Sequence, residues 1–241
     1  MPVYKSVNKD FFKIWTREMA YVLGFFSADG YITVNKRGGQ FWCIQITDKK
    51  LLKQIRKAIG SEHKISFRRS KGNESALYRL QIGSIEMRDD LRKLGFSERK
   101  TKSLAAPNVP DKYFADFARG YFDGDGNVWI GFLNKKRSRP TLALKTMFTS
   151  CSLDFLKQFH NKLCGFGAEG GSVYISKRNY SRLQFSSNDS LKLYNFMYNQ
   201  CVSCKIHLFL ERKKRVFEKF KKLKKKMRPW CSGLTQSPVT R

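Results

Sequence analysis

The stretch Gly24-Phe25-Phe26-Ser27-Ala28-Asp29-Gly30 recurs at a shift of 96 as Gly120-Tyr121-Phe122-Asp123-Gly124-Asp125-Gly126. Gly, Phe, Asp and Gly coincide in the two copies. Downstream, Leu52-Lys53-Gln54 returns as Leu156-Lys157-Gln158 at a shift of 104, and Arg79-Leu80-Gln81 as Arg182-Leu183-Gln184 at a shift of 103. Three matches in one order describe a duplicated chain. The change of shift places an insertion at Asn134–Pro140, NKKRSRP, which reads as an extended basic hairpin loop.

Each copy carries the same pattern. A helix (Arg17–Ala28; Lys112–Gly124) runs into the Asp-Gly step. Two strands follow, at Tyr31–Asn35 and Phe41–Thr47, then at Asn127–Phe132 and Leu142–Ser150. Ile32 and Val34, or Trp42, Ile44 and Ile46, alternate with Thr33 and Asn35, or Cys43 and Gln45, so one side of each hairpin is apolar. A helix comes next (Lys49–Ile59; Leu153–Leu163), with Gly60 and Gly165 as expected C-caps. Two more strands (Lys64–Arg69 and Ala76–Ile82; Ser172–Lys177 and Arg182–Ser186) and a final helix complete the unit. Antiparallel hairpins with helices on one face give an α+β fold of two pseudo-symmetric αββαββα halves. The expected division is 1–96, a linker at 97–111 broken by Pro107 and Pro110, a second half at 112–221, and a basic flexible tail at 222–241.

The 241 residues carry 48 Lys+Arg against 19 Asp+Glu, a net charge of +29. At 41 % hydrophobic the chain can bury a core, so the charge signals an anionic partner rather than disorder. Lys205–Arg228 supplies a surplus of ten, twelve basic residues less two Glu, and the remaining +19 belongs to the body. No apolar run approaches the ~20 residues of a membrane span. Neither a secretory signal nor a transit peptide is recognisable at the N-terminus, which points to an intracellular protein. Six irregularly spaced cysteines fit reduced thiols. Cys201 and Cys204 form a CxxC before His207, but no second pair completes a zinc site. The three histidines suggest no triad.

The small residues Gly24, Ala28, Gly120 and Gly124 recur at spacing four, leaving one stripe of each leading helix as nearly bare backbone. Two such stripes can approach closely, and Asp29 and Asp125 would then sit side by side. Isolated carboxylates so close repel, and aspartate at a helix C-terminus opposes the helix dipole. A pair of hard divalent cations removes both objections. Oxygen ligands with phosphate oxygens suit Mg²⁺, and two metals beneath a phosphodiester can activate water and stabilise the leaving oxygen.

V-L-G-F-F-S-A-D-G (22–30) and A-R-G-Y-F-D-G-D-G (118–126) resemble the two motifs of a single-chain LAGLIDADG homing endonuclease. The duplicated pattern around them extends to about Lys221. Ser27 in place of the usual first acid, and Arg119 in place of a small residue, are the departures. The resemblance implies a sheet saddle in each half lying in the DNA major groove of a long asymmetric site. Asp29 and Asp125 would each cut one strand, leaving short 3′ overhangs. The carbonyls of Ala28 and Gly124 would also contact metal, with Mg²⁺ or Mn²⁺ supporting cleavage and Ca²⁺ binding without it. It further implies a central basic residue from each half, for which the repeat register nominates Lys102 and Lys205, with Lys100 and Arg99 close by. Asp48 and Ser152 occupy the polar positions after the second strand of each half.

Strand parity nominates base-reading side chains: Thr33, Asn35, Arg37, Gln45, Arg68, Arg79 and Gln81 in the first half, and Lys145, Thr149, Tyr174, Arg182 and Gln184 in the second. Arg and Gln can make bidentate contacts to guanine and adenine. The expected protein is thus a monomeric endonuclease acting on double-stranded DNA in the compartment whose genome encodes it. The alternatives are an intron maturase bound to host intron RNA, as some relatives of this fold are, or a non-catalytic nucleic-acid-binding protein.

Overall fold

The structure, a computed structural model, describes residues 5–70, 75–97, 105–138, 140–176, 180–199 and 208–227. Helix α1 (Arg17–Asp29) starts at Thr16, whose hydroxyl caps Met19 N–H at 3.0 Å, and runs directly into β1 (Gly30–Val34). Strand β2 (Gln40–Ile46), α2 (Lys49–Ala58), β3 (Ile65–Arg68), β4 (Leu77–Ile82) and α3 (Ile85–Lys93) complete the first half. The second half repeats this order as α4 (Asp111–Asp125), β5 (Gly126–Leu133), β6 (Thr141–Ser150), α5 (Leu153–Gly165), β7 (Ser172–Ile175), β8 (Ser181–Phe185) and α6 (Ser187–Tyr198). A further helix, α7 (Glu211–Met227), follows.

Both halves form a four-stranded antiparallel sheet of the same order, β1-β2-β4-β3 and β5-β6-β8-β7. In the first, Tyr31 pairs with Cys43 and Cys43 with Gln81, while Gln45 pairs with Arg79 and Arg79 with Ser66. One face of this sheet therefore carries Ile32, Trp42, Ile44, Leu80 and Ile82, all buried. The equivalent inner face of the second carries Leu144, Phe148, Leu183 and Phe185, packed with Phe155 and Phe159 of α5. Helices cover the inner faces and leave the outer faces open.

Several expectations need correction. Gly60 has the left-handed φ of +65° expected of a C-cap, but Gly165 is the last residue of α5; the left-handed residue there is Gly167 (φ +94°), after Phe166, whose ring stacks against Phe114. Gly30 and Gly126 do end their helices, as C-caps with ordinary extended φ, −87° and −85°. Glycine is required by space instead: a Cβ would come within 2.0 Å of the Phe26 ring and 2.2 Å of the Phe122 ring. Residues 222–227, read as tail, are helical, since Phe217 and Phe220 bury one stripe of α7 and the Lys-rich run prolongs it. Asp48 and Ser152 are N-caps of α2 and α5, accepting from Leu51 N–H at 2.9 Å and Phe155 N–H at 3.2 Å.

Candidate active site and nucleic-acid face

Helices α1 and α4 meet backbone to backbone. A Cβ on Gly24 would lie 2.1 Å from the Phe117 carbonyl, and one on Gly120 only 2.0 Å from that of Tyr21. Lower down, a Cβ on Gly124 would be 2.3 Å from that of Ala28 and 3.4 Å from Asp29 Oδ2. The bare stripe thus brings the Asp29 carboxylate onto the end of the motif-two helix, beside Gly124 and Asp125. Both acids are half-buried. Burial first, and then the charges of Asp125 and Asp29, hold the Tyr121 phenol well above its ordinary range; its O–H donates to the Thr149 carbonyl at 2.6 Å. The sequence departures lie off this contact. Ser27 Oγ donates to the Leu23 carbonyl within α1, and the Arg119 guanidinium turns towards α6 and the segment before α7.

Beneath motif two lies a buried polar cluster. Arg119 donates to Asp116 at 2.6 Å, to the Met197 carbonyl at 2.6 Å and to the Leu208 carbonyl at 2.9 Å. Asp123 Oδ2 accepts from Tyr21 O–H and from Leu210 N–H, both at 2.7 Å. Burial pushes the Asp123 carboxyl up to about 6, with Tyr21 and Lys213 opposing. Lys213 of α7 places Nζ 2.6 Å from the carbonyls of Phe122 and Gly126, 2.8 Å from Asp123 O and 3.3 Å from Gly124 O. An ammonium has three donors, so the three nearer carbonyls engage them and the Gly124 oxygen keeps lone pairs for another partner. Burial lowers Lys213 to about 8, while Asp123, Asp29 and Asp125 hold it up.

Among the described residues no group of three or more His, Cys, Asp or Glu could hold a metal. The donors at the helix ends are two carboxylates and backbone carbonyls. An all-oxygen set of this kind fits a hard cation such as Mg²⁺ or Ca²⁺. Lys102 and Lys205 lie outside the described residues. Lys213 escaped the repeat comparison because the register slips after α6. Glu98-Arg99-Lys100 returns as Glu211-Arg212-Lys213 at a shift of 113, and that match makes Lys100 its counterpart in the first half.

The outer sheet faces carry most of the parity-selected side chains. Gln45, Arg79, Arg68 and Gln81 share the first face, with Gln45 Nε2 donating to Tyr31 Oη at 2.7 Å. Thr33 lies opposite Phe41 on that face. Asn35 and Arg37 are in the β1–β2 turn, where Asn35 Oδ1 accepts from the N–H groups of Arg37 and Gly39. On the second face Thr149, Arg182 and Tyr174 align across three strands, as do Met147, Gln184 and Ser172, with Lys145 opposite Trp129. Arg182 donates to Tyr180 Oη and stacks over its ring, 5.0 Å from the centroid. No described helix is long and apolar enough to cross a membrane.

Residues 17–95 match the family model described as LAGLIDADG-like domain. The chain is 26 % identical over 219 residues to the intron-encoded RNA maturase bI4 of Saccharomyces cerevisiae, a match covering 84 % of this chain and 31 % of that protein. It therefore spans about a third of the length of this curated relative. Among solved structures, the LAGLIDADG meganuclease I-AabMI bound to uncleaved DNA aligns with a TM-score of 0.60 at 17 % identity, over 87 % of this chain and 91 % of that one. The I-LtrWI LAGLIDADG homing endonuclease bound to target DNA aligns at 0.60 and 15 %, over 92 % of each chain. I-SmaMI bound to an uncleaved DNA target with calcium ions aligns at 0.59 and 13 %, over 90 % and 92 %. The chain has the two-half LAGLIDADG fold.

Proposed function

We propose that this chain, a LAGLIDADG protein by its N-terminal domain and by its fold, is a site-specific endonuclease. It would cut both strands of a long asymmetric DNA duplex to leave short 3′ overhangs, acting as a monomer in the compartment whose genome encodes it. One observation carries the reading. The Asp29 carboxylate at the end of one helix lies against Gly124 of the helix it touches, next to Asp125, and two antiparallel sheets flank the pair with largely polar and basic outer faces. Each half offers one acid for one strand, and the paired sheets offer two surfaces for two half-sites.

Asp29 and Asp125, with the carbonyls of Ala28 and Gly124, are the residues that would hold divalent cations. Bound Mg²⁺ or Mn²⁺ would supply an activated water and charge on the leaving oxygen, and Ca²⁺ would bind without supporting cleavage. Lys213 fixes the turn that presents the Gly124 carbonyl, and Lys102 and Lys205 remain candidates for the basic residues facing the scissile phosphates. The remaining basic surface supplies phosphate contacts, whose affinity falls steeply with salt. A duplex library incubated with the protein and Mg²⁺ is expected to yield a cleaved target. The double variant Asp29→Asn, Asp125→Asn is expected to bind that target as tightly as wild type and to cut neither strand. Undiminished cutting by the double variant would overturn the assignment.

A second reading rests on the relationship to an RNA maturase over most of this chain. Host intron RNA would then be a partner, alone or beside DNA. A nanomolar affinity for the chain's own intron RNA, unaffected by the two Asp variants, would establish it.

A further inference from the structure

Trp129 stands out on the second sheet. It sits on β5 with its side chain on the outer face, opposite Lys145, and is 41 % exposed. Its indole lies across its own strand: a Cβ on Gly131 would fall 2.2 Å from Trp129 Cζ2 and 2.7 Å from Cη2. Gly131 pairs with Ala143, so the two smallest residues of this face lie side by side; Ala143 is 4 % exposed despite facing outward. Further along β5, Leu133 is 37 % exposed on the same face. The first sheet's aromatic on the outer face, Phe41, is half-buried and lies against Gly83 rather than on its own strand. The rest of that face presents mainly Tyr31, Thr33, Gln45, Arg79 and Gln81.

A large ring held flat by a glycine shelf presents an apolar plane outward at little cost in side-chain entropy. In a paired duplex the base faces are stacked away, and only base edges reach the major groove. The one apolar group among those edges is the C5 methyl of thymine. Resting on the endonuclease reading above, we propose that Trp129 is a specificity-determining residue that packs on thymine methyls in the half-site covered by the second sheet. The half-site under the second sheet is then read partly through apolar contact.

The test uses the full chain and a duplex target selected by its own cleavage. Thymines of the second half-site are replaced one at a time by deoxyuridine, which removes only the methyl, and metal-free binding is measured. Wild type is expected to lose about four-fold in affinity at one or two adjacent positions, the effect of one buried methyl. Trp129→Ala is expected to bind the thymine target more weakly and to show no further loss on uracil substitution. Gly131→Val, which displaces the ring without deleting it, is expected to remove the same preference and to leave uracil effects in the first half-site unchanged. Wild type indifferent to uracil throughout the second half-site overturns the proposal alone, as does a loss that persists in Trp129→Ala. Absence of any bound or cut duplex removes the endonuclease reading and this proposal together. Weakened binding of single-stranded RNA by Trp129→Ala, with duplex binding intact, makes the ring a base-stacking platform and also overturns the proposal.

Discussion

At Asp123, a carboxylate is buried with one oxygen shared by Tyr21 and Leu210 and the other without a hydrogen-bond partner. Its carboxyl titrates at about 6 when folded, against an ordinary 3.8. Between those values the folded chain keeps a proton that the unfolded chain has lost. Stability therefore falls as pH rises through this window, and the full cost of the buried charge persists above it. Lys213, lowered to about 8, acts in the opposite sense at higher pH, where stability rises. The melting temperature of metal-free wild type minus that of Asp123→Asn is expected to decrease from pH 4 to pH 6.5 and then to flatten. A difference that stays constant or grows over that range would contradict the titration. The acids of the motif were legible because glycine on either side and duplication single them out. Lys213 was not, since its role depends on α7 folding back under motif two, and a lysine within a Lys-rich run carries no local mark.

The contact between α1 and α4 sets opposing effects against each other at Gly120. Alanine there gains about 1 kcal/mol of helix propensity, while a methyl 2.0 Å from the rigid Tyr21 carbonyl forces the helices apart, a strain of typically 1–3 kcal/mol. The second effect wins, so Gly120→Ala is expected to lower the melting temperature by several degrees. Gly165→Ala, inside α5 with nothing within 4 Å of the new Cβ, is expected to raise it slightly. Equal responses of the two variants would show that the helices do not touch as described. Spacing-four small residues announced this contact in the sequence, and strand alternation placed the sheets to within a residue or two. Helix ends were harder. Gly30 and Gly126 end their helices in extended backbone, and each is glycine because an aromatic ring four residues earlier fills the space. Trp129 was passed over because an aromatic in an alternating strand reads as core, and only the register with Lys145 places it outside.

Across the molecule, the charge of +29 is distributed with purpose. Inner sheet faces are apolar and outer faces mostly polar or basic, the Trp129 stripe excepted, and α7 buries Phe217 and Phe220 while exposing Arg215 and Lys222. Duplication was readable from short matches because each half must rebuild the same helix end and the same sheet. Strand order within a sheet is a long-range property and emerges only on folding. Within this positive frame the two half-buried acids are the exception, and their separate assignment to two strands is the central claim. Strand-resolved cleavage of an end-labelled target by Asp29→Asn and by Asp125→Asn, each with Mg²⁺, tests it most directly. Each variant is expected to cut one strand only, and the two variants opposite strands, at unchanged DNA affinity. Cutting of both strands by either variant, or loss of the same strand in both, would contradict it.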